Sequence, residues 1–421
     1  MVDLRVAGTA LGMVLVCGSV SATTTEGERE LGGNEALLAD ASARQSLQNA
    51  GSAGWDNGFK FSSGDGNYAL QLYGGLQFRY VSSFQDESAN GAEDTALGFE
   101  NTRTRLGAKG HIIDPTITYN IWHGFTGSGS SLLLDAWMQK KYDKLTVRVG
   151  QFKLPTWQEW TVSEMRQQFV ERSVLDARFS QLYSQGVMAT WTEDDWRVMG
   201  ALSDGLRSWN DNSLGTQFGV TGRAEYKWAG DWSQRSDFNS FRDEQQFGVV
   251  GAAFHYQDGA SAAGEGSGAP FIDDAQVYQF TVDTQVGYGG WGLAAAFIGN
   301  FEENPGGNDY DQYGVLVQGS YFVTDDWELI ARYEWGDLDG QAGDRVDSMM
   351  MSDETTNDTL SVLTVGANRF FSGHALKFTT DVGIALDEVS GAWAGGSRGY
   401  RADADGADAQ VVVRAQMQLL F

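Results

Sequence analysis

Residues 70–80 read LQLYGGLQFRY, and this stretch decides the fold. Its even positions are apolar or glycine, whereas its odd positions include Gln71, Gln77 and Arg79. Because successive side chains of a strand point to opposite faces, the stretch predicts a β-strand with one apolar and one polar face. The same alternation returns in residues 411–421, where apolar residues occupy the odd positions.

Sixteen segments of the chain show this alternation, and their connections alternate between short turns and long loops. That plan is typical of a closed antiparallel transmembrane β-barrel, with short periplasmic turns and longer outer loops. The sequence therefore predicts an all-β barrel of about 16 strands. One irregularity stands out, because residues 229–243 connect two strands on the short-turn side and yet are long. The predicted segments are residues 68–84, 97–112, 116–124, 131–141, 144–152, 183–192, 195–204, 215–228, 244–257, 275–288, 290–302, 310–323, 326–337, 357–371, 374–388 and 408–421.

A soluble β-sandwich would also alternate, but the character of the two faces separates the architectures. The outward face of a sandwich is polar, whereas here one face carries Leu, Val, Phe and Tyr and the other carries Arg, Gln and Asp. Trp and Tyr often stand near segment ends, as expected at the two membrane interfaces. We therefore expect the barrel to be embedded in lipid, in the bacterial outer membrane.

The N-terminus predicts export through a cleaved signal peptide, residues 1–22. An apolar run, residues 7–20, follows Arg5, and small residues stand at the expected cleavage site. Cys17 lies inside this segment, as a passive residue or as a lipidation site. Residues 23–57 predict a periplasmic leader, either flexible or containing one short helix, and residues 58–421 predict the barrel.

Composition excludes several classes of function. The formal net charge of −27 argues against a nucleic-acid partner, since phosphate backbones require basic surfaces. Apart from Cys17 the chain has no cysteine, which removes disulfides, thiolate metal sites and cysteine nucleophiles. Four histidines without surrounding motifs offer neither a zinc site nor a catalytic base. We therefore expect no enzyme activity, no catalytic residue, no metal and no cofactor.

Several motifs in the first half resemble the phosphate-selective porin O/P family of bacterial outer-membrane porins. The matching stretches are NGF at 57–59, GDGN at 64–67, FENTRTR at 99–105, DAW at 135–137, VRVGQFKLP at 147–155 and VERS at 170–173. The resemblance implies a sixteen-stranded pore for ions and small solutes, usually a homotrimer. It also implies that the aromatic C-terminus, Phe421, is recognised by the barrel-insertion machinery.

A ladder of basic residues is the first candidate for function. Arg103 and Arg105 are two apart on the second strand and share a predicted face with Asn101, Lys109 and His111. Charge on the lipid face is costly, so these cations should line the lumen and favour anions. Alternatively, they pair with lumen acids and stiffen the wall. The predicted pore-lining basic residues are Arg79, Arg103, Arg105, Lys109 and Arg148.

The second candidate is a long outer connection, residues 155–182, here called the constriction loop. Thr161 and Glu164 form a predicted capping box for one helix, on which Arg172 and Asp176 would be neighbours. The family resemblance implies that this loop folds into the channel and narrows it; the alternative is a lid packed on the wall. Its predicted site residues, with the adjoining Lys153, are Lys153, Glu159, Glu164, Arg166, Glu171, Arg172, Asp176 and Arg178.

The global charge departs from what a phosphate pore requires. Residues 100–180 contain 11 Lys/Arg against 8 Asp/Glu, whereas residues 301–421 contain 7 against 21. Many of those acids, including Asp339 and Asp403, fall in predicted outer loops, as a solvated rim or as ligands of divalent cations. The sequence predicts a water-filled channel for passive diffusion of small hydrophilic solutes and ions, with a modest preference for anions and phosphate as one candidate. The alternative is a structural or receptor barrel with a plugged lumen and acidic outer loops that bind a partner.

Overall fold

The computed structural model describes residues 51–56, 58–86, 95–125, 131–180, 182–206, 218–260, 275–303, 309–339, 358–394, 398–403 and 409–421. All of them belong to one compact unit, residues 51–421. The predicted signal peptide lies outside the described residues, as does the predicted leader up to residue 50. The end of that leader is a short strand, β1 (Ser52–Trp55), so strand structure begins six residues before the predicted start of the barrel.

Sixteen antiparallel strands, β3 to β18, close into a barrel, and the predicted architecture is confirmed. Each strand pairs with its sequence neighbour, and β18 pairs with β3 to complete the ring. The strands are β3 (Ala69–Phe84), β4 (Thr95–Ile112), β5 (Asp114–Phe125), β6 (Ser131–Tyr142), β7 (Leu145–Lys153), β8 (Tyr183–Thr192), β9 (Trp196–Ser203), β10 (Phe218–Ala229), β11 (Phe247–Ala260), β12 (Ala275–Tyr288), β13 (Trp291–Glu303), β14 (Tyr310–Phe322), β15 (Trp327–Asp337), β16 (Thr359–Ser372), β17 (Leu376–Ala385) and β18 (Val411–Leu420).

The first and last strands of the barrel, β3 and β18, meet at the seam. Phe421 donates its backbone N–H to the Gly74 carbonyl at 3.0 Å, and the Gly74 N–H donates back at 2.6 Å. The Phe421 ring lies so close to Gly74 that a Cβ there would stand 2.7 Å from it. Glycine is therefore required for closure at this point. Strand β2 (Phe59–Ser62), paired with β1, continues the sheet along β3 beyond the end of β18.

The two faces of the wall differ as the alternation predicts. Large apolar side chains are exposed on the outside, where lipid covers them, and polar side chains are buried in the lumen. Outward residues include Leu76, Phe78, Val198, Leu202, Val220, Leu293, Val317, Leu329, Leu363 and Val365. An exposed aromatic belt follows the short-turn end of the barrel, as at a membrane interface: Tyr142, Trp191, Trp196, Trp228, Tyr288, Trp291, Tyr321 and Trp327.

One predicted face assignment is wrong. The pairing of β3 with β4 shifts between Gln77 and Phe78, so that one residue of β4 is unpaired. Such a bulge reverses the parity of everything before it on β4. Asn101 consequently pairs with the outward-facing Phe78, whereas Glu100 turns to the lumen beside Arg79. Asn101 therefore does not share a face with Arg103.

The constriction loop folds into the lumen, as predicted, but not as one helix. It contains two short helices, α1 (Gln158–Thr161) and α2 (Val174–Phe179), and a 3-10 turn at Glu164–Arg166. The predicted capping box is wrong, because Ser163 caps the 3-10 turn and Ser173 caps α2. No helix among the described residues is long and apolar enough to cross a membrane.

The irregular connection between β10 and β11 also folds inward, from the periplasmic end. Residues 230–246, here called the periplasmic strap, contain a 3-10 turn at Gln234–Ser236. Arg235, Phe238 and Asn239 of the strap are buried inside the barrel. The lumen therefore receives one segment from each side of the membrane.

Candidate pore and its constriction

The constriction loop crosses the lumen and reaches strands on both sides of it. Its backbone donates from Val170 N–H to Asp381 of β17 at 2.9 Å and from Gln158 N–H to Asp283 of β12 at 3.0 Å. It also pairs with arginines of β3 and β4, which lie across the ring from β12. The loop is thus a cross-brace that divides the lumen, rather than a lid resting on one wall.

An apolar cluster holds α2 inside the barrel. The side chains of Leu175 and Phe179 pack over Gly314 of β14, where glycine leaves room for them. Trp393, from the loop between β17 and β18, covers the same region. The cluster is buried and contains Trp157, Trp160, Val174, Leu175, Phe179, Leu338, Leu360, Val362 and Trp393, among others.

Glu171 of the constriction loop is held by two arginines of the predicted ladder. Arg79 of β3 contacts it at 2.5 Å and Arg103 of β4 at 2.7 Å, and Arg79 also pairs with Glu100 at 2.6 Å. Burial alone would raise the pKa of the Glu171 carboxyl, but Arg103 and Arg79 hold it below its usual value. Through these ion pairs Arg79 and Arg103 hold the constriction loop against the barrel wall.

Glu164 is the centre of a second cationic cluster. Arg105, Arg172 and Lys153 lie 3.2, 3.5 and 3.9 Å from its carboxylate oxygens. Burial would raise the pKa of Glu164, yet these cations together with Arg103 keep it well below the usual value. Glu164 is thus a carboxylate at neutral pH, and the cations around it outnumber it.

The pKa of Glu159 is shifted in the opposite direction, upward. Its carboxyl accepts hydrogen bonds from the Ser173 N–H at 2.8 Å and the Ser173 hydroxyl at 2.5 Å, and Arg332 lies 3.7 Å away. Burial, with Asp176 nearby, raises the pKa of Glu159 to about 7, although Arg332 partly opposes the shift. Through these hydrogen bonds the Glu159 carboxyl joins α1 to Ser173 at the start of α2, and its charge depends on pH near neutrality.

The other predicted loop residues are separated by the short helices. Arg172 precedes α2 and donates to the Val162 carbonyl at 2.8 Å, whereas Asp176 pairs with Arg398 at 3.4 Å. The predicted helical pairing of Arg172 with Asp176 is therefore wrong, since Ser173 begins a new helix between them. Arg166 is half-exposed and lies 3.4 Å from Asp237 of the strap. Arg178 is buried on α2.

A cavity of about 520 Å³ remains open between the constriction loop and the wall from β5 to β9. Its charged lining consists of four cations and two carboxylates: Arg148, Lys153, Arg197, Arg235, Asp135 and Glu164. Arg148 lies over the Trp137 ring at 4.1 Å and donates to Gln139, and Lys153 lies over Trp160 at 4.3 Å. These contacts fix the positive groups at the cavity wall.

Lys109 lines a neighbouring cavity of about 330 Å³, with Lys60, Gln71 and His111. Its ammonium group lies 4.8 Å from the centre of the Tyr73 ring. The five residues of the predicted ladder are therefore not one row. Arg79 and Arg103 hold Glu171, Arg105 holds Glu164, and Lys109 and Arg148 face two separate cavities.

Sequence reasoning missed two cations of the larger cavity. Arg197 follows the outward-facing Trp196 on β9, so strand parity places it in the lumen and could have identified it. Arg235 belongs to the strap, where no periodic signal exists. Only the unexpected length of that connection marked it.

The described part of the chain holds no group of three or more His, Cys, Asp or Glu side chains arranged for a metal ion. Asp403, predicted to stand on an acidic outer rim, is buried instead. It accepts hydrogen bonds from Val389 N–H at 3.0 Å and Gln410 at 2.9 Å. The other acids of residues 340–357 and 404–408 lie outside the described ranges.

A closed sixteen-stranded barrel with an apolar outer wall, a polar lumen and an inward-folded loop defines the class of outer-membrane porins. The family model for phosphate-selective porin O and P matches residues 75–421, and the chain belongs to that family. The resemblance carried by the sequence motifs is thereby confirmed. The protein is a porin of the bacterial outer membrane, forming a water-filled channel for passive diffusion, and this class consists of channels rather than enzymes.

Solved outer-membrane proteins share the fold at low sequence identity. The in-vitro folded trimer form of OmpT from Vibrio cholerae is 14% identical, with 83% of this chain and 98% of that chain covered and a TM-score of 0.52. The outer membrane channel DcaP of Acinetobacter baumannii is 10% identical, with coverages of 84% and 98% and a TM-score of 0.52. Salmonella typhi OmpF, in complex with daunomycin, is 13% identical, with coverages of 87% and 100% and a TM-score of 0.53. No curated protein matches the chain by sequence.

Proposed function

We propose that this porin prefers small anions and that the cavity between the constriction loop and strands β5 to β9 is their route. The observation that carries the proposal is the charge of the cavity lining, with four cations against Asp135 and Glu164. Fixed cations at a narrow passage replace the hydration that an entering anion loses. Phosphate is one candidate solute, as the family description suggests.

The ion pairs around the cavity also favour a preference for anions. Glu164 is already matched by Arg105 and Arg172 from outside the cavity, so it offsets little of the charge of Lys153. Within the described ranges, no ion pair includes Arg148. At ~0.15 M salt charges act over only ~8 Å, so local cations outweigh distant acids. The net charge of −27 therefore does not set the selectivity of the passage.

We propose in addition that the protein assembles as a homotrimer and that Phe421 is recognised during barrel insertion. A trimer form exists for the structurally similar OmpT of Vibrio cholerae. The last residue already completes the seam by pairing with Gly74, which suits a C-terminal signal that is read before closure. Cross-linking of the detergent-extracted protein, and assembly of a Phe421→Ala variant, test these two points.

The reversal potential of the purified pore in a planar bilayer, under a salt gradient near ~0.15 M, tests the anion preference. We expect the native pore to favour anions. In the double variant Lys153→Gln, Arg148→Gln, the anion-to-cation permeability ratio should fall at least twofold. Arg369→Gln is the matched control, because Arg369 pairs with Asp326 at the periplasmic rim. A cation-selective native pore would contradict the proposal. A barrel without conductance would favour the plugged receptor instead.

A further inference from the structure

The periplasmic strap spans the periplasmic mouth and is anchored at both ends. At one end, Trp232 donates to the Glu193 carbonyl at 3.0 Å, and the Arg197 guanidinium lies 4.1 Å from its ring centre. At the other end, Phe241 packs against Phe322 and Phe370, with ring centres 5.1 and 5.0 Å apart. The strap therefore runs from the turn after β8 to strands β14 and β16.

The middle of the strap is fixed by polar contacts with the wall. His374 contacts Asp237 at 2.6 Å, and Gln285 donates to the Asp237 carbonyl at 2.6 Å. Asn239 donates to Glu328 at 2.5 Å. Because the strap contacts this many strands, it is an ordered segment of the lumen and not a simple turn between β10 and β11.

The strap meets the constriction loop inside the barrel. Gln158 donates to the Arg235 carbonyl at 3.3 Å, Arg235 donates to the Thr161 hydroxyl at 3.1 Å, and Gln168 donates to the Phe238 carbonyl at 3.1 Å. The narrowed part of the lumen is thus bounded from both membrane sides. Together the two segments leave the cavity along β5 to β9 beside them.

Arg235 is the residue of the strap that lines this cavity. Its guanidinium is oriented by Thr161 and by Glu225 of β10, a carboxylate with no exposed surface. Glu225 also lies 2.8 Å from Arg223 and 3.6 Å from Arg197. Three arginines thus share Glu225, and only Arg223 has a further acid, Asp283 at 2.6 Å, among the described ion pairs. Within these ion pairs three arginines face two carboxylates, so one positive charge is unmatched beside the cavity.

We propose that the selectivity filter has a second, periplasmic station supplied by the strap, and that Arg235 is its specificity-determining residue. The station receives anions that pass Lys153 and Arg148 higher in the cavity. It rests on the anion preference proposed above and extends it, since it assigns selectivity to a segment outside the constriction loop and the predicted ladder.

The test uses a single cysteine at position 235, because apart from Cys17 in the predicted signal peptide the chain has none. The mature Arg235→Cys protein, from which the predicted signal peptide with Cys17 has been removed, is reconstituted in planar bilayers. It is modified with methanethiosulfonate reagents that attach either a sulfonate or a trimethylammonium group. We expect the sulfonate to lower the anion-to-cation permeability ratio at least twofold, and the trimethylammonium group to restore it toward the native value. Heat-modifiable migration shows that the barrel is folded.

Arg242→Cys is the matched control on the same strap, because Arg242 is half-exposed and pairs with Asp325 at the rim. Neither reagent should change its selectivity. If both reagents leave the Arg235→Cys pore unchanged while Lys153→Gln, Arg148→Gln still shifts selectivity, the second station is overturned and the anion preference stands. A native pore that prefers cations overturns the anion preference itself. Arg235→Lys keeps the charge, so loss of anion preference in this folded variant would also overturn the role of charge at position 235.

Discussion

Arg103 of β4 and Glu171 of the constriction loop form a buried ion pair at 2.7 Å, and Arg79 of β3 grips the second carboxylate oxygen at 2.5 Å. One loop carboxylate therefore joins two neighbouring wall strands. The sequence left open whether the ladder selects anions or stiffens the wall. For Arg79 and Arg103 the geometry favours stiffening, because each guanidinium is matched by an acid.

Glu171→Gln should loosen the constriction loop without unfolding the barrel. The substitution leaves Arg79 and Arg103 without that carboxylate, and removing one partner of a buried pair costs about 3–5 kcal/mol. We expect larger open-channel current fluctuations and faster tryptic cleavage at the loop arginines. Single-channel recording and proteolysis of the reconstituted protein measure both effects.

Glu193→Gln is a suitable control for that experiment, since Glu193 pairs with Lys144 at the exposed periplasmic rim. An exposed ion pair is screened by water and salt and contributes little to stability. If Glu171→Gln and Glu193→Gln give equally quiet channels, Glu171 does not hold the loop.

Loop order should depend on pH through Glu159. Its pKa is raised from the usual value to about 7 by burial, so the docked loop binds this proton more tightly than the free loop does. The resulting stabilisation is complete below about 4.5 and is lost as pH rises through about 7. We expect channel fluctuations to increase as pH rises from about 4.5 to about 7 and to change little above that range.

The carboxyls of Glu164 and Glu171 act with the opposite sign. Their pKa values are lowered in the docked loop, so their contribution is present above the usual glutamate pKa and is lost only on acidification. The channel should therefore be quietest near about pH 5, where Glu159 is still protonated and Glu164 and Glu171 are ionised. Glu159→Gln should remove the alkaline limb alone, and persistence of that limb in the variant would assign it to another group.

Gly336→Ala should displace Trp393, the side chain that covers α2. A methyl group at this lumen position of β15 would overlap the Trp393 ring and come within 3.0 Å of Leu175. Overpacking of this kind costs about 1–3 kcal/mol, so the temperature of the gel-mobility transition should fall. Gly222→Ala is the control, because its Cβ would meet no atom within 4 Å on the outer face. Equal transition temperatures in the Gly336→Ala and Gly222→Ala variants would show that the Trp393 ring moves aside without a measurable loss of stability.

The strands could be predicted from the sequence because lipid outside and water inside impose a strict alternation on every crossing. Even the segment that follows the irregular connection, predicted at 244–257, is displaced by only three residues from β11 (Phe247–Ala260). The bulge opposite Gln77 and Phe78 could not be predicted in this way. A single extra residue reverses the faces of Glu100 and Asn101 without changing the composition of the strand.

Segments inside the lumen follow different rules. The constriction loop buries polar and apolar residues alike. The capping box and the spacing of Arg172 and Asp176 suggested one helix, whereas Ser163 and Ser173 begin separate turns. The strap carries no periodic pattern at all. Its position depends on partners such as Phe322 and Phe370, which lie on strands distant in sequence.

The salt dependence of selectivity separates local charge from global charge. If only the cavity cations act, lowering the salt concentration reduces screening and should strengthen the anion preference. The chain as a whole, however, carries −27, and at ~0.01 M salt charges act over ~30 Å, far enough to include acids of the predicted outer loops. We therefore expect the anion preference at ~0.15 M to weaken at ~0.01 M, when the outer acids reach the passage. Reversal potentials at a constant concentration ratio measure this, with Lys153→Gln expected to change in parallel with the native pore. A preference that grows as salt falls would show that the outer acids have no influence on the cavity.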